Sequence, residues 1–205
     1  MQSAVELVVL DMGGVLLELN DPLSTFGLDM DQHDFMESWL LSRSVGELER
    51  GDVNISTFAS VIVKEFGLPY SPAEFVRRFQ SWPDAIHEGV PELLESIGRH
   101  HRVALLSNTS ETHWNRDDIG GRLKPLFHEV FLSYRTRNLK PEPAAFEDVI
   151  QHFSIDADRI LFLDDNPLNI DAAKRCGMQA QLTRGFDSLV RNLGPIASTF
   201  RQNED

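Results

Sequence analysis

The sequence has almost no cysteine, few basic residues for its acidity and no long apolar run. Its one cysteine among 205 residues is Cys176, which excludes an internal disulfide framework and is expected to be an inert packing residue. Lys and Arg number 19 against 32 Asp and Glu, and the formal net charge of −13 disfavours nucleic acid and anionic membranes as partners. The N-terminus lacks a signal-peptide pattern, and no apolar run approaches the roughly 20 residues that span a bilayer. These absences favour a cytoplasmic protein.

What the chain does contain is a regular alternation of short apolar runs and helical patterns. Runs rich in Val, Leu, Ile and Phe predict buried strands at residues 5–10, 103–106, 130–132, 160–163 and 180–182. Apolar residues at helical spacing predict helices at residues 91–100, 143–153 and 167–176. Because strands and helices alternate, we expect an α/β fold with a doubly wound, Rossmann-like parallel sheet and right-handed crossovers.

One stretch, residues 21–87, interrupts this alternation. It contains helical patterns and no convincing strand, with helices predicted at residues 35–41, 56–66 and 71–82. Ser56 and Ser71 are candidate N-caps, and Glu74 completes a capping-box pattern after Ser71. We therefore expect residues 21–87 to form an inserted helical cap, and residues 1–20 with 88–205 to form the α/β catalytic core. The polar tail, residues 201–205, is expected to be frayed.

Polar side chains follow three of the apolar runs, at the points where the predicted strands end. Asp11 follows the first run, Ser107 and Asn108 follow the second, and Asp164 and Asp165 follow the fourth. Ligands of open α/β sheets bind beyond the carboxyl ends of the strands, so these side chains are expected to share one crevice. A carboxylate pair suits a hard cation such as Mg²⁺, whereas hydroxyl and amide groups can donate hydrogen bonds to an oxyanion.

Three further residues suit the same crevice. Lys140 precedes Pro141 and a proline-fixed helix start, from which its ammonium group could reach the carboxylates. Gly13 and Gly14 let a ligand approach the main chain, and Gly14 is included among the predicted substrate contacts. Acidic residues, a lysine and a hydroxyl at one sheet edge predict a phosphate site with a metal. An aspartate nucleophile there would form an aspartyl-phosphate.

Four motifs occur in an order that resembles the haloacid dehalogenase-like hydrolase superfamily over nearly the whole chain. They are Asp11-Met12-Gly13-Gly14-Val15, Leu106-Ser107-Asn108, Leu139-Lys140-Pro141, and Asp164-Asp165 with Asn169. Within the superfamily, the sequence is most similar to a branch with bacterial α-D-glucose-1-phosphate phosphatases and the N-terminal phosphatase domain of soluble epoxide hydrolase. The features that carry this similarity are the paired glycines of the first motif (Gly13 and Gly14), Ser107-Asn108-Thr109 and Glu49-Arg50-Gly51.

The resemblance implies a magnesium-dependent phosphatase that acts on a small phosphomonoester, with a sugar phosphate such as glucose 1-phosphate favoured. Asp11 would attack phosphorus and bind Mg²⁺, and Asp165 and the carbonyl oxygen of Gly13 would be the other protein ligands. Asp164 and Asn169 would shape the surrounding loop and orient metal-bound water or the lysine. The residues implied to hold the phosphate group are Ser107, Asn108 and Lys140.

Position 13 departs from the superfamily pattern. Phosphatases of the superfamily usually have a second aspartate there, which protonates the leaving oxygen, and this chain has Gly13. Either the leaving group needs little protonation, as with an anomeric hydroxyl, or another acid replaces the aspartate, or the chain binds phosphorylated ligands with little turnover. The candidate replacements are ordered water and two cap carboxylates, Glu47 and Glu49. Arg43 and Arg50 are candidate substrate contacts, with solvated surface as the alternative.

A haloacid dehalogenase is the alternative from a different enzyme class, since it uses an aspartate to displace halide and needs no metal. Its usual first motif places a tyrosine where Gly13 lies, and its fourth motif lacks the acid pair seen here as Asp164 and Asp165. Carboxylates clustered without a cation would repel one another, which favours the metal-dependent interpretation. A regulatory protein that binds a phosphorylated ligand is the non-enzymatic alternative.

Overall fold

The computed structural model describes residues 4–198, so the predicted frayed tail at 201–205 lies outside the described residues. Strands β1 to β7 are, in chain order, Leu7–Leu10, Leu17–Leu19, Pro83–Ile86, Arg102–Ser107, Glu129–Leu132, Ile160–Asp164 and Gln179–Leu182. Helices α1 to α11 are Pro22–Phe26, Gln32–Leu41, Arg43–Glu49, Ile55–Glu65, Pro72–Gln80, Val90–Gly98, Glu111–Trp114, Ser133–Thr136, Pro143–Phe153, Pro167–Arg175 and Gly185–Ser198. No helix within these residues has the length and apolar character needed to cross a membrane.

Five of the strands form a parallel sheet in the order β5-β4-β1-β6-β7. Strand β1 lies at the centre and pairs on one side with β4 and on the other with β6, with Leu7 opposite Arg102 and Ile160. The chain builds outward from β1 to β5 and then crosses to β6, so the winding direction reverses between β1 and β6. This arrangement confirms the predicted doubly wound sheet, and it leaves a crevice at the carboxyl ends of these two strands.

The central strand shows why both faces of the sheet are covered. Its four residues are fully buried, because successive side chains point to opposite faces and each face packs against helices. Val8 and Leu10 belong to the hydrophobic cluster that also contains residues of α6 and α11. Leu7 and Val9 belong to the cluster with residues of α9 and α10, against which the partly buried Cys176 also packs. The uninterrupted apolar run is therefore typical of a strand buried on both faces.

The inserted segment, residues 21–87, has a hydrophobic core of its own, built largely from aromatic rings. Phe26, Phe35, Trp39, Phe75 and Trp82 belong to this cluster, and each is at most 8% exposed. The ring centroids of Trp39 and Trp82 lie 5.0 Å apart in an edge-to-face arrangement that aromatic pairs favour. Helices α1 to α5 can therefore pack as a unit without side chains of the parallel sheet.

The expectation that residues 21–87 hold no strand is wrong. Pro83–Ile86 forms β3 and pairs with β2 in an antiparallel two-stranded sheet, with Leu17 opposite Ile86. Only four residues long and beginning with proline, β3 gives no clear alternating pattern, and its partner lies more than 60 residues earlier. Its stability depends on tertiary pairing, which a local sequence pattern cannot reveal.

The predicted caps of α4 and α5 have different outcomes. The N-cap of α4 is Asn54 and not Ser56, since the Asn54 side chain accepts a hydrogen bond from Thr57 N at 2.9 Å. Ser71 is the N-cap of α5 as predicted, and its hydroxyl accepts from Glu74 N at 3.2 Å. The second half of the capping box is absent from α5, because the Glu74 carboxylate binds Arg77 and Arg78.

Two side chains of the α/β core fasten the end of α5 and the start of β3. His113 in α7 is buried, with Nε2 2.7 Å from the carbonyl oxygen of Phe79. Arg116 donates hydrogen bonds to the carbonyl oxygens of Gln80 and Pro83 at 2.8 and 2.6 Å. Carbonyls at a helix C-terminus have no partners within the helix, so these contacts attach the inserted segment firmly to the core.

The buried His113 is expected to make the protein less stable in mild acid. Burial lowers the pKa of His113 from 6.5 to about 4 in the folded protein. Between these two pH values, the imidazole is therefore protonated in the unfolded chain but neutral in the folded chain. This contribution to stability is present above pH 6.5 and is lost between pH 6.5 and 4. From pH 7 to pH 5 the loss is roughly 2 kcal/mol, at about 1.4 kcal/mol per pH unit.

Urea unfolding of the wild type and of His113→Gln at pH 7 and pH 5 measures this loss. Glutamine can still donate to Phe79 but does not titrate, whereas all other titrating groups are common to both proteins. We expect the wild type to lose roughly 2 kcal/mol more than the variant between the two pH values. Equal losses in both proteins would contradict a neutral, buried His113.

Candidate active site

The predicted site residues converge at the carboxyl ends of three neighbouring strands. Asp11 directly follows β1, Ser107 is the last residue of β4 and Asp164 is the last residue of β6, with Asp165 next in the chain. Carboxylate oxygens of Asp11, Asp164 and Asp165 all lie within 4.8 Å of one another. Parallel pairing at matched register brings these strand ends together at the sheet's winding reversal.

Lys140 connects two of these carboxylates. Its ammonium nitrogen lies 2.7 Å from Asp11 Oδ1 and 2.7 Å from Asp164 Oδ2, and its side chain is 1% exposed. Burial disfavours the charged form of Lys140, but the negative charges of Asp11 and Asp164 and their hydrogen bonds raise its pKa above the ordinary value. The lysine is therefore a fixed positive charge next to Asp11.

Asp164 is fully buried and acts as the fixed end of this network. Besides Lys140, its carboxylate accepts hydrogen bonds from Asn169 Nδ2 at 3.0 Å and from Asn166 N at 2.8 Å. The Asn166 side chain in turn accepts from Leu168 N at 2.9 Å and so caps helix α10. Asp164 therefore contacts Lys140 directly and Asn169 contacts Asp164, while the orienting role of the two residues stays a prediction.

Asn108 uses its side-chain amide on the lysine loop. Its Nδ2 donates to the Lys140 carbonyl oxygen at 2.8 Å, and its Oδ1 accepts from Lys140 N at 2.9 Å. The bond to the Lys140 carbonyl uses one of the two Nδ2 hydrogens, and the expected contact of Asn108 with phosphate stays a prediction. Ser107 differs, because its hydroxyl has only a long 3.5 Å contact with the Asn108 carbonyl and can donate to a ligand.

The site has more negative than positive charge. Burial raises the pKa of Asp11, the Lys140 charge opposes this increase, and Asp164 and Asp165 add to it. Burial and the charge of Asp164 likewise raise the pKa of Asp165 to about 6, against the attraction of Lys140 and Arg184. Three carboxylates beside one ammonium group favour an additional cation, and oxygen ligands of this kind suit a hard divalent ion.

The two glycines of the first motif have steric roles. Gly14 has a φ of +69°, and a Cβ atom there would lie 2.4 Å from Asp165 Oδ2. The Gly14 N–H donates to Leu17 O and its carbonyl accepts from Gly185 N, and the expected contact of Gly14 with substrate stays a prediction. Gly13 has ordinary space around it, since a Cβ there would meet only the Leu19 methyl groups at 3.7 and 3.8 Å.

The inserted segment approaches the site at the C-terminus of α3. Burial raises the pKa of Glu49 to about 7, with Lys140 opposing the shift and Asp11 adding to it. Glu49 is half-buried, and these two site residues act on its carboxyl group electrostatically. Glu47 instead forms an ion pair with Arg43 at 2.8 Å. The Arg43 side chain is 92% exposed, which favours the alternative that it lies on the solvated surface.

Two further sets of contacts hold the loops of the site in place, and the sequence patterns predicted neither of them. The Ser133 hydroxyl at the start of α8 accepts from Thr109 N at 2.9 Å and donates to Thr109 O at 3.1 Å, which fixes the loop after β4. Arg50 donates to the Arg137 carbonyl at 2.9 Å and forms an ion pair with Glu142. A polar residue at the end of the neighbouring strand β5 was the available signal for Ser133.

Comparisons with known proteins agree with this geometry. The family model described as haloacid dehalogenase-like hydrolase matches residues 5–177. The chain is 31% identical over 141 residues to enolase-phosphatase E1 of Methylococcus capsulatus, a match that covers 68% of this chain and spans only about half, 52%, of that relative. It is 22% identical over 186 residues to D-ribitol-5-phosphate phosphatase of Bacteroides thetaiotaomicron, which covers 85% of this chain and 90% of the relative.

A solved structure shares the fold. The HAD family enzyme bt-2542 of Bacteroides thetaiotaomicron, in complex with magnesium and inorganic phosphate, superposes with a TM-score of 0.71 at 24% identity. The match covers 88% of this chain and 95% of that one. Because the family model extends from the strand before Asp11 to the helix after Asp165, it includes every residue of the carboxylate–lysine cluster. The chain therefore belongs to the haloacid dehalogenase-like hydrolase family.

Proposed function

We propose that the protein is a magnesium-dependent phosphatase that hydrolyses a small phosphomonoester through an aspartyl-phosphate on Asp11. The observation that carries this proposal is the position of Asp11, which lies among two more carboxylates and the fixed ammonium group of Lys140 at the sheet's winding reversal. Phosphoryl transfer needs an aligned nucleophile and fixed positive charge, since its transition state spreads negative charge over the equatorial oxygens.

Each residue near Asp11 has a distinct part in this proposal. The Asp11 carboxylate attacks phosphorus, while Lys140 keeps that carboxylate oriented and offsets the negative charge of the phosphate group. Ser107 donates its hydroxyl to a phosphate oxygen. Asp164 holds Lys140, and the Asn108 amide fixes the main chain on either side of the lysine.

The donor set fits Mg²⁺. Asp11 and Asp165 offer carboxylate oxygens, and we propose the Gly13 carbonyl oxygen as the third protein ligand. Their excess negative charge, seen in the raised pKa of Asp165, is what a divalent cation would neutralise. When bound, Mg²⁺ supplies neutralisation of the phosphate oxygens during transfer.

We further propose that residues 21–87 are a cap that selects the substrate, and that residues 1–20 with 88–205 are the catalytic core. The separate aromatic core of the inserted segment, and the contacts of Arg50 with the chain on both sides of Lys140, support this division. A sugar or polyol phosphate, with glucose 1-phosphate as a candidate, is the proposed substrate class. The relative named D-ribitol-5-phosphate phosphatase supports a phosphorylated small molecule of this kind.

Phosphate release tests this function. The protein is incubated with p-nitrophenyl phosphate and with a panel of sugar phosphates, nucleotides and phosphoglycolate, in Mg²⁺ and in excess chelator. We expect phosphate release in Mg²⁺, loss of release in chelator, and the highest kcat/KM on a sugar or polyol phosphate. Equal release with and without the cation would contradict the metal-dependent mechanism, and saturable phosphate binding without release would indicate a ligand-binding protein.

The close approach of Gly14 to Asp165 gives a prediction with a matched control. Gly14 and Gly67 have similar positive φ angles of +69° and +61°, but a Cβ at Gly67 would meet nothing within 4 Å. Both alanine variants are expected to lose about 1 kcal/mol of stability from backbone strain. Only Gly14→Ala displaces the Asp165 carboxylate, so its Mg²⁺ affinity is expected to fall about 10- to 100-fold. Calorimetric Mg²⁺ titration measures this difference, and equal affinities in the two variants would contradict Asp165 as a ligand.

A further inference from the structure

We propose that Glu49 is the general acid that protonates the leaving oxygen, in place of the carboxylate that position 13 lacks. This inference rests on the proposed phosphatase function and assigns a further catalytic residue to it. Three observations carry it: the surroundings of Gly13, the attachment of the α3 C-terminus to the core, and the charges around Glu49.

The core offers no acid at Gly13 itself. A side chain there would meet only the methyl groups of Leu19. The buried His113 cannot serve, because its Nε2 is committed to Phe79 O and its pKa of about 4 keeps it neutral. Glu47 and Glu49 of the inserted segment are the carboxylates that the sequence suggests as replacements.

The α3 C-terminus is attached to the same chain segment that holds Lys140. Arg50 donates to the Arg137 carbonyl at 2.9 Å and forms an ion pair with Glu142, and these partners lie just before and after the lysine. The next residue, Gly51, has a φ of +71°, and a Cβ there would lie 2.6 Å from the Tyr134 carbonyl oxygen. These contacts position the last residue of α3, Glu49, relative to the catalytic lysine.

The surroundings of Glu49 suit a proton donor. Burial raises its pKa to about 7, so a large fraction of the carboxyl groups carry a proton near neutral pH, as an effective general acid requires. Lys140 lowers and Asp11 raises the pKa of this carboxyl group, and α3 ends where Arg50 is bound to the chain on both sides of Lys140. Glu47 instead forms its ion pair with Arg43, whose side chain is exposed.

The chemistry balances in two steps. In the first, the Asp11 oxygen forms a bond to phosphorus as the ester P–O bond breaks, and the Glu49 proton moves to the departing oxygen, which leaves as a neutral alcohol. In the second, the Glu49 carboxylate takes a proton from water as that water attacks phosphorus. The acyl-phosphate P–O bond breaks, inorganic phosphate leaves, and Asp11 returns as a carboxylate with Glu49 protonated.

The test compares leaving groups in the presence of Mg²⁺. A p-nitrophenolate leaves readily without protonation, whereas an alkoxide from a primary alkyl phosphate does not. Glu49→Gln is therefore expected to lower kcat/KM for the alkyl phosphate roughly 10²- to 10³-fold, and to lower it less than about tenfold for p-nitrophenyl phosphate. Glu47→Gln is the matched control, with wild-type values expected on both esters.

A second variant separates acid catalysis from a structural role. Gly13→Asp fits the available space, since its Cβ meets only Leu19 at ordinary contact distance. When it is added to Glu49→Gln, the double variant is expected to have a kcat/KM for the alkyl phosphate at least tenfold above that of Glu49→Gln alone. Equal losses on both esters, no loss on either, or no restoration would overturn the role of Glu49 while leaving the phosphatase function intact. A wild type that releases phosphate from neither ester would overturn the proposed function itself and this inference with it.

Discussion

Asp11→Asn is expected to lower phosphatase kcat/KM roughly 10⁴-fold or more while the protein stays folded. An amide oxygen is a poor nucleophile, and removing the nucleophile from a unit of cooperating residues removes most of its catalysis. The fold is expected to survive, because Lys140 retains its 2.7 Å contact with the buried Asp164 carboxylate. Steady-state kinetics on p-nitrophenyl phosphate and on the best sugar phosphate measure the loss, and urea unfolding checks the fold.

A matched control for this variant is Asp29→Asn, at an exposed aspartate of the inserted segment. It makes the same chemical change away from the carboxylate–lysine cluster, so its activity is expected to equal that of the wild type. If Asp11→Asn retained a tenth of the wild-type activity, Asp11 would not be the nucleophile.

Lys140→Met is the second large expected effect, on activity and stability together. Lys140 is 1% exposed and contacts both Asp11 and Asp164, so its removal leaves buried carboxylates without their ammonium partner. Breaking a buried ion pair from one side costs about 3–5 kcal/mol, and we expect a loss of this size at pH 8 without added cation. Activity is expected to fall at least 10³-fold, because removing such a fixed charge costs several kcal/mol of transition-state stabilisation.

The pH dependence identifies the cause of this destabilisation. Burial raises the pKa of Asp11 and the Lys140 charge opposes this increase, so removing Lys140 raises the Asp11 pKa further above its unfolded value. A group with a raised folded-state pKa stabilises the protein at low pH, and this contribution is lost as the pH rises through the folded-state value. The destabilisation is therefore expected to shrink between pH 8 and pH 5. A constant penalty over that range would contradict the buried-charge explanation, and the exposed Lys124→Met serves as a control with less than about 0.5 kcal/mol of effect.

The parallel sheet and the catalytic cluster could be predicted because their signals are local. A strand buried on both faces needs a continuous apolar run, and β1, β4 and β6 each have one that ends in a polar residue. Strand order then brings Asp11, Ser107 and Asp164 to one edge without further information. Lys140, which no strand end marks, was predicted from its place just before a proline-fixed helix start.

Other parts of the structure depend on long-range contacts that local patterns do not record. Strand β3 forms through its pairing with β2, and Asn54 could be identified as a cap only once the start of α4 was known. Local patterns also did not reveal that both ends of the Asn108 amide bind the Lys140 main chain. The sequence left Glu47 and Glu49 equivalent, and the ion pair of Glu47 with Arg43 and the burial of Glu49 distinguish them.

The central claim is that Asp11 carries the phosphoryl group, and chemical trapping of the intermediate tests it most directly. Enzyme mixed with substrate and Mg²⁺ is quenched during turnover and treated with borohydride, which reduces an acyl-phosphate to an alcohol. Peptide mass spectrometry is expected to find homoserine at position 11, dependent on substrate and absent from Asp11→Asn. Turnover with no reduction at position 11, or with reduction at Asp165 instead, would contradict the account.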